Sequence, residues 1–231
     1  MASQTPRSLG ILNLERGPET FKPKPGSLMN PDTFKFPVIS ETVAGAWADV
    51  VIRGDQALEP AYIAAARRLV ERGAVVISSN CGFSIRHQAA VAAAVNVPVV
   101  MSSLLLVPSL LRQLPPAAKL AVVTADSTHC GKDLLGVDDP AERARVVVGG
   151  IEGGKLLQNE MQRPPVPTDI ADIETDVAAC VARLVHAHPN IGAFLFECTG
   201  FPMVTAAIRR AVRQPIYDVV DLCRITLASV G

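Results

Sequence analysis

The chain has 231 residues, 49% hydrophobic and 19% charged, with 22 basic residues balanced by 22 acidic ones. That length and balance supply one large domain or two compact lobes with a sizeable core, and they exclude a disordered chain. A net charge of zero argues against a nucleic-acid footprint, and no apolar run approaches the roughly 18 residues that mark a membrane span.

The opening stretch, MASQTPRSLGILNL, has no long apolar core followed by a cleavage-like site and reads as mature sequence. LGILNL is the first predicted strand. Residues 15–37 follow it with five prolines; a loop this long is either a lid or binding loop, or an ordered surface wrap. Tyr62, Ala65, Ala66, Leu69 and Val70 then share one face of a helix over 60–72, which Gly73 stops. Short apolar runs at 75–78, 97–103, 119–125, 144–150 and 191–197 read as buried parallel strands, apolar throughout because helices cover both faces of the sheet. Ile170, Ile173, Val177, Val181 and Leu184 mark a second helix over 169–187, capped by Thr168 or Asp169, with Pro189 beyond its end. Val204, Ala207, Ile208 and Ala211 mark a third over 203–213.

This rhythm predicts an α/β fold of two similar lobes, each a mostly parallel sheet flanked by helices. The break at Arg112-Gln113-Leu114-Pro115-Pro116 reads as the crossover. The expected division is 1–113 for the first lobe, with 216–231 returning to it, and 114–215 for the second.

Five cysteines, odd in number and widely spaced, suit reduced thiols in the cytoplasm better than a disulfide framework. Two of them end strands in matching contexts. Cys81 lies in SSNCGF after Ala74-Val75-Val76-Ile77, and Cys198 lies in FLFECTGFP. Ligands of open α/β sheets bind outside the carboxyl ends of strands. Both thiols precede predicted helices, whose N-termini lower a thiol's pKa and offer free N–H groups to a carboxylate. The N–H groups of Gly82, Thr199 and Gly200, the hydroxyls of Ser78, Ser79 and Thr199, and the Asn80 amide add neutral donors. Two thiols among such donors suit removal of a proton from one face of an acidic carbon and its return to the other. The bland alternative is that each cysteine is an inert core residue.

With NCGF and ECTGFP in place, the chain resembles the cofactor-independent aspartate/glutamate racemase superfamily, which includes hydantoin racemases, maleate isomerases and arylmalonate decarboxylases. The Cys198-Thr199 pair is the more specific match. The resemblance implies an active site in a cleft between the lobes, with Cys81 and Cys198 as opposed acid and base facing each other there. It also implies a small carboxylate substrate held by Asn80 and Thr199, no cofactor and no metal. Asn13 stands where glutamate racemases carry an Asp-Ser pair, Gly200 where they place histidine, and Asn80-Cys81-Gly82 where amino-acid racemases of the group read Cys-Asn-Thr. These departures argue against glutamate as substrate, and the presence of both thiols argues against the decarboxylase branch. Thr124 and Ser127, in the hydroxyl-rich turn TADST, are candidates to complete the carboxylate site, or an ordinary capping turn.

Other signals are weaker. His129-Cys130 lacks a spaced partner set for a metal. GGIEGG matches neither a phosphate loop nor a dinucleotide fingerprint. Cys180 falls beside the apolar stripe of its helix. The expectation is therefore a cofactor-independent racemase or epimerase, an isomerase, acting on a small amino acid or related carboxylate. The alternatives are an enzyme with one nucleophilic cysteine, as in maleate isomerase, or a non-catalytic small-acid-binding protein. Nucleic acid and membrane are not expected partners, and a homo-oligomer is left open.

Overall fold

The computed structural model describes residues 7–17 and 22–230. The extreme N-terminus and residues 18–21 of the proline-rich segment lie outside them. The chain forms two compact units, one running up to Ser102 and resuming at Val220, the other Ser103–Val219.

The first unit contains β1 (Ser8–Asn13), β2 (Val38–Thr42), α1 (Ala48–Arg53), α2 (Glu59–Glu71), β3 (Ala74–Ser79) and α3 (Gln88–Ala94). Its sheet is parallel, in the order β2-β1-β3. Parallel neighbours need a long crossover. Between β1 and β2 the proline-rich segment supplies it, and its described part is tied down by buried Leu28 and Phe34 and by the Thr33 hydroxyl, which donates to Ser27 O at 2.7 Å. The α2 helix buries Tyr62, Ala65, Ala66 and Leu69. It crosses β1 so closely that a Cβ on Gly10 would stand 2.9 Å from Ala74 Cβ and 3.1 Å from Leu69 Cδ1. Gly73, at φ 93°, turns the chain from α2 into β3 in the left-handed region that favours glycine.

The strand expected at 97–103 is instead a single parallel bridge, Ile77 to Val99. Pro98 has no N–H to give a ladder. Side chains take the neighbouring backbone groups: Gln88 donates to Val99 O at 2.8 Å and accepts from Met101 N at 3.0 Å, and the Ser78 hydroxyl donates to Val100 O at 2.8 Å.

The second unit contains α4 (Val107–Gln113), β4 (Lys119–Thr124), α5 (Pro140–Arg143), β5 (Val146–Gly150), α6 (Lys155–Glu160), α7 (Ile170–Ala187), β6 (Ile191–Phe196), α8 (Pro202–Ala211) and β7 (Ile216–Tyr217). Its parallel sheet has the order β5-β4-β6-β7. Val177, Cys180, Val181 and Leu184 of α7 pack with Ala121, Val123, Phe194 and Phe196 of the strands and Val204 and Ile208 of α8. Each fully buried large side chain contributes about 1.5–3 kcal/mol by leaving water. The first glycine pair of GGIEGG serves this packing: a Cβ on Gly149 would meet Leu184 at 2.9 Å and Cys180 Sγ at 3.0 Å.

Most of α9 (Val219–Val230) belongs to the first unit, where Arg224 Nη2 donates to Thr33 O at 3.1 Å. Among the described residues no helix is long and apolar enough to cross a membrane.

Candidate active site

All five cysteines are free thiols, and they divide by exposure. Cys130, Cys180 and Cys223 are buried, at 5%, 0% and 0%. Burial pushes the Cys180 thiol up to about 11, so it is an inert core residue. Cys81 and Cys198 are half-buried.

In the first unit, the ends of β1 and β3 bring Asn13, Ser79, Asn80 and Cys81 together. β3 is bonded to β1 through Ser79, opposite Leu12, and the Asn80 N–H continues the ladder to Leu12 O at 3.0 Å. Asn80 also accepts the Leu14 N–H at Oδ1, 2.8 Å, so its carbonyl serves the loop after β1. Asn13 ends β1 opposite Thr42, and its Oδ1 is buried with no hydrogen-bond partner. Cys81 then leaves the sheet and caps the expected helix, which opens as 3-10 over Gly82–His87 and continues directly as α3; the poorer geometry of the 3-10 part gives a weaker aligned dipole beside the thiol.

A chain of hydroxyls lies beneath Cys81. Its N–H donates to Ser79 Oγ at 3.3 Å, Ser79 Oγ lies 2.9 Å from Ser84 Oγ, and Ser84 Oγ lies 2.9 Å from the Tyr62 hydroxyl. Ser79 and Ser84 are 0% exposed and Tyr62 1%. Burial, and next the Cys81 thiol, hold the Tyr62 phenol far above its ordinary pKa, so the network is neutral. The Tyr62 ring stacks on His87 with centroids 4.5 Å apart. Burial holds the His87 imidazole below its ordinary pKa, and its Nε2 has no partner.

In the second unit, adjacent strands β4 and β6 bring Thr124, Cys198, Thr199 and Gly200 to one edge. The Glu197 N–H donates to Val123 O at 2.8 Å, so the ladder runs one residue past β6 and Cys198 is the first to leave it. The turn Cys198-Thr199-Gly200 closes when the Phe201 N–H donates to Cys198 O at 3.0 Å, and α8 starts at Pro202. Gly200 flanks the thiol: a Cβ there would sit 3.7 Å from Cys198 Sγ.

Thr124 is 0% exposed and donates its hydroxyl inward to Glu197 Oε2 at 2.8 Å. The Ser127 N–H donates to a Glu152 carboxylate oxygen. Asp126 pairs with His129, Oδ2 to Nδ1 at 2.7 Å. Desolvation raises the Asp126 pKa, but hydrogen bonds from Thr128 and His129 outweigh it and hold the carboxyl below its ordinary value. Among the described residues no group of three or more His, Cys, Asp or Glu is placed to hold a metal ion.

Glu197 is the residue that sequence reasoning passed over. It is 0% exposed, and burial raises its pKa to about 7 against the lowering effect of hydrogen bonds from Thr124 and the Ala125 N–H. Its Oε1 has no hydrogen-bond partner. The signal was present in IGAFLFE, an acid closing an otherwise apolar run, since acids are almost never fully buried without a partner.

No family model matches the chain. It is 30% identical over 223 residues to a dimethylsulfoniopropionate lyase from Durusdinium sp. clade D, covering 92% of this chain and 71% of that protein. It is 28% identical to dimethylsulfoniopropionate lyase 7 of Emiliania huxleyi (strain CCMP1516), covering 96% and 67%. Among solved structures it is similar to glutamate racemase from Francisella tularensis subsp. tularensis SCHU S4 in complex with D-glutamate (TM-score 0.59, 16% identity, 98% of this chain and 81% of that one). It is also similar to unliganded arylmalonate decarboxylase (TM-score 0.54, 15% identity, 97% and 93%). The structural likeness bears out the fold expected from the resemblance, the α/β fold with two parallel sheets of the aspartate/glutamate racemase superfamily. The sequence likeness overturns the expected amino-acid racemase, and with it the isomerase class, because relatives matching across nearly the whole chain are lyases. The chain belongs to the dimethylsulfoniopropionate lyase family.

Proposed function

We propose that the protein is a lyase that eliminates dimethyl sulfide from dimethylsulfoniopropionate and leaves acrylate. The observation that carries this reading is the 30% identity to a dimethylsulfoniopropionate lyase over 92% of the chain. The chemistry suits a thiol at a strand end. A thiolate takes the proton from the carbon beside the carboxylate. The electron pair of that C–H bond forms the new C=C bond. The bond from the β-carbon to sulfur breaks with its pair on sulfur, which neutralises the sulfonium and releases dimethyl sulfide. The thiol then returns its proton to solvent. Elimination needs one base, whereas racemisation needs two on opposite faces.

Cys198 is assigned as that base. It is half-buried and lies one turn ahead of α8, a ten-residue helix capped by Phe201 whose positive end favours a thiolate. Cys81 caps a helix that opens as 3-10, Gly82–His87, before continuing directly as α3, so the turns beside it have the poorer hydrogen-bond alignment and give it less of this support. Neutral donors around the thiols hold the carboxylate and the negative charge that develops at the neighbouring carbon; N–H groups of the Cys198-Thr199-Gly200 turn are assigned part of this task.

The test is incubation of the full chain with dimethylsulfoniopropionate, with dimethyl sulfide measured in the headspace and acrylate by proton NMR. Equal amounts of the two products, lost in Cys198→Ala, are expected. No acrylate above the spontaneous rate at millimolar substrate would overturn the assignment.

A further inference from the structure

The Glu197 side chain costs the fold stability that an amide of the same shape would not. It is fully buried, accepts from the Thr124 hydroxyl at 2.8 Å and from the Ala125 N–H, and leaves Oε1 without a partner. Glutamine would accept the same two hydrogen bonds and never ionise. A buried carboxylate with an unpaired oxygen is among the more expensive groups a core can hold, and such groups gather where chemistry needs them.

Its position says what it serves. Glu197 is the last residue laddered to β4, and Cys198 follows directly. We propose that Glu197 is a positioning residue for Cys198: hydrogen-bonded to Thr124 at the tip of the neighbouring strand, it anchors the Cys198-Thr199-Gly200 turn, and its charge state governs how readily the adjacent thiol becomes an anion. This inference rests on the assignment of Cys198 as the base in the proposed elimination.

The surrounding charges support the neutral form. Asp126 lies near enough to oppose ionisation of Glu197, and His129 is held by Asp126 rather than by Glu197. On the β4 side Glu197 meets the neutral groups Thr124 and Ala125, and the Ser103 hydroxyl donates to Phe196 O at 2.8 Å on the preceding residue. Burial keeps the carboxyl protonated to about pH 7. Above that, a carboxylate one residue from the thiol would disfavour the thiolate, and this coupling is what the experiment reads.

The experiment follows iodoacetamide alkylation of Cys198 by peptide mass spectrometry from pH 5 to 10, in full-length protein carrying Cys81→Ala. Glu197→Gln keeps shape and hydrogen bonds while removing the charge. It is expected to convert a two-step pH profile into one step and to raise the rate near pH 8 by about three- to tenfold, a thiol shift of up to about one pKa unit. Thr124→Val removes the donor that favours the carboxylate and is expected to move the Glu197 step to higher pH. This second variant decides the matter if the first does not fold. Superimposable profiles for the parent and Glu197→Gln, or an unmoved step in Thr124→Val, would overturn the proposal. Dimethyl sulfide release is measured on the same two variants with Cys81 restored. A shifted alkylation profile without release in any form would leave the Glu197–Cys198 coupling standing and the lyase reading fallen. Release with an unshifted profile would do the reverse.

Discussion

The turns after β3 and after β6 occupy the same place in their sheets and carry the same residue type, yet the buried polar groups at the two strand ends differ in kind. Behind Cys81 is a chain of hydroxyls, Ser79, Ser84 and Tyr62, that stays neutral through the physiological range. Directly before Cys198 in the chain is a buried carboxyl, Glu197, whose pKa is raised to about 7. The helices that follow differ too: one opens as 3-10 before continuing as α3, the other is α8, α-helical from its start. Matching topology therefore does not make matching thiols. A racemase asks its two bases to be interchangeable in role; an elimination is content with one, and unequal surroundings suit it.

The comparison is tested most severely at the thiols themselves. Cys198→Ala should lower dimethyl sulfide release by about 10²- to 10⁴-fold, the usual loss for a general base, and Cys81→Ala by about tenfold or less. Rates measured by headspace chromatography that fall equally in both variants would erase the asymmetry.

The buried titratable groups should then give the two units pH dependences of opposite sign. Glu197 has a raised pKa in the folded chain, so the unfolded chain loses its proton first. Stability from this group is intact below about pH 4.5 and declines as pH rises to about 7, by about 3 kcal/mol in all. His87 has a lowered pKa, so the unfolded chain gains a proton first. Its stabilisation is complete above the unfolded value of about 6.5 and is lost as pH falls below it. Urea unfolding at intervals from pH 4.5 to 8.5 should show a flatter alkaline decline in Glu197→Gln and a flatter acid decline in His87→Gln.

A smaller effect is expected within the hydroxyl chain. Tyr62→Phe keeps the buried ring and its stacking on His87 but removes one hydrogen bond to Ser84. It should cost about 1–2 kcal/mol, read from the urea midpoint, and leave Cys198 alkylation unchanged. Smallest of all is Gly200→Ala. A Cβ there makes ordinary contacts, 3.4 Å to Leu156 and 3.7 Å to Cys198 Sγ. Stability should change by less than about 1 kcal/mol, while alkylation of Cys198 by a bulky maleimide slows more than alkylation by iodoacetamide. An equal effect on the two reagents would show that position 200 does not border the thiol's approach.

The sequence by itself determined the alternation of strands and helices, because apolar runs and 3.6-residue stripes are local records of what each segment must bury. β1, β3 to β6, α2, α7 and α8 were legible for that reason, as were Cys81 and Cys198 at strand ends. β2 was not: Val38–Thr42 is a partly exposed edge strand with little apolar run of its own, and β7 pairs only through Ile216 and Tyr217. Tertiary structure alone decided that Pro98 and the Gln88 amide reduce 97–103 to one bridge, that a 3-10 turn follows Cys81, and that the Thr124 hydroxyl turns inward to Glu197. Each of these outcomes depends on which backbone and side-chain groups from distant parts of the chain are left to pair with one another. Glu197 shows the limit most plainly: its letter stands in the motif that drew notice to Cys198, but its burial, and hence its pKa, comes from the parallel neighbour β4 and the core around β6, which no local pattern encodes.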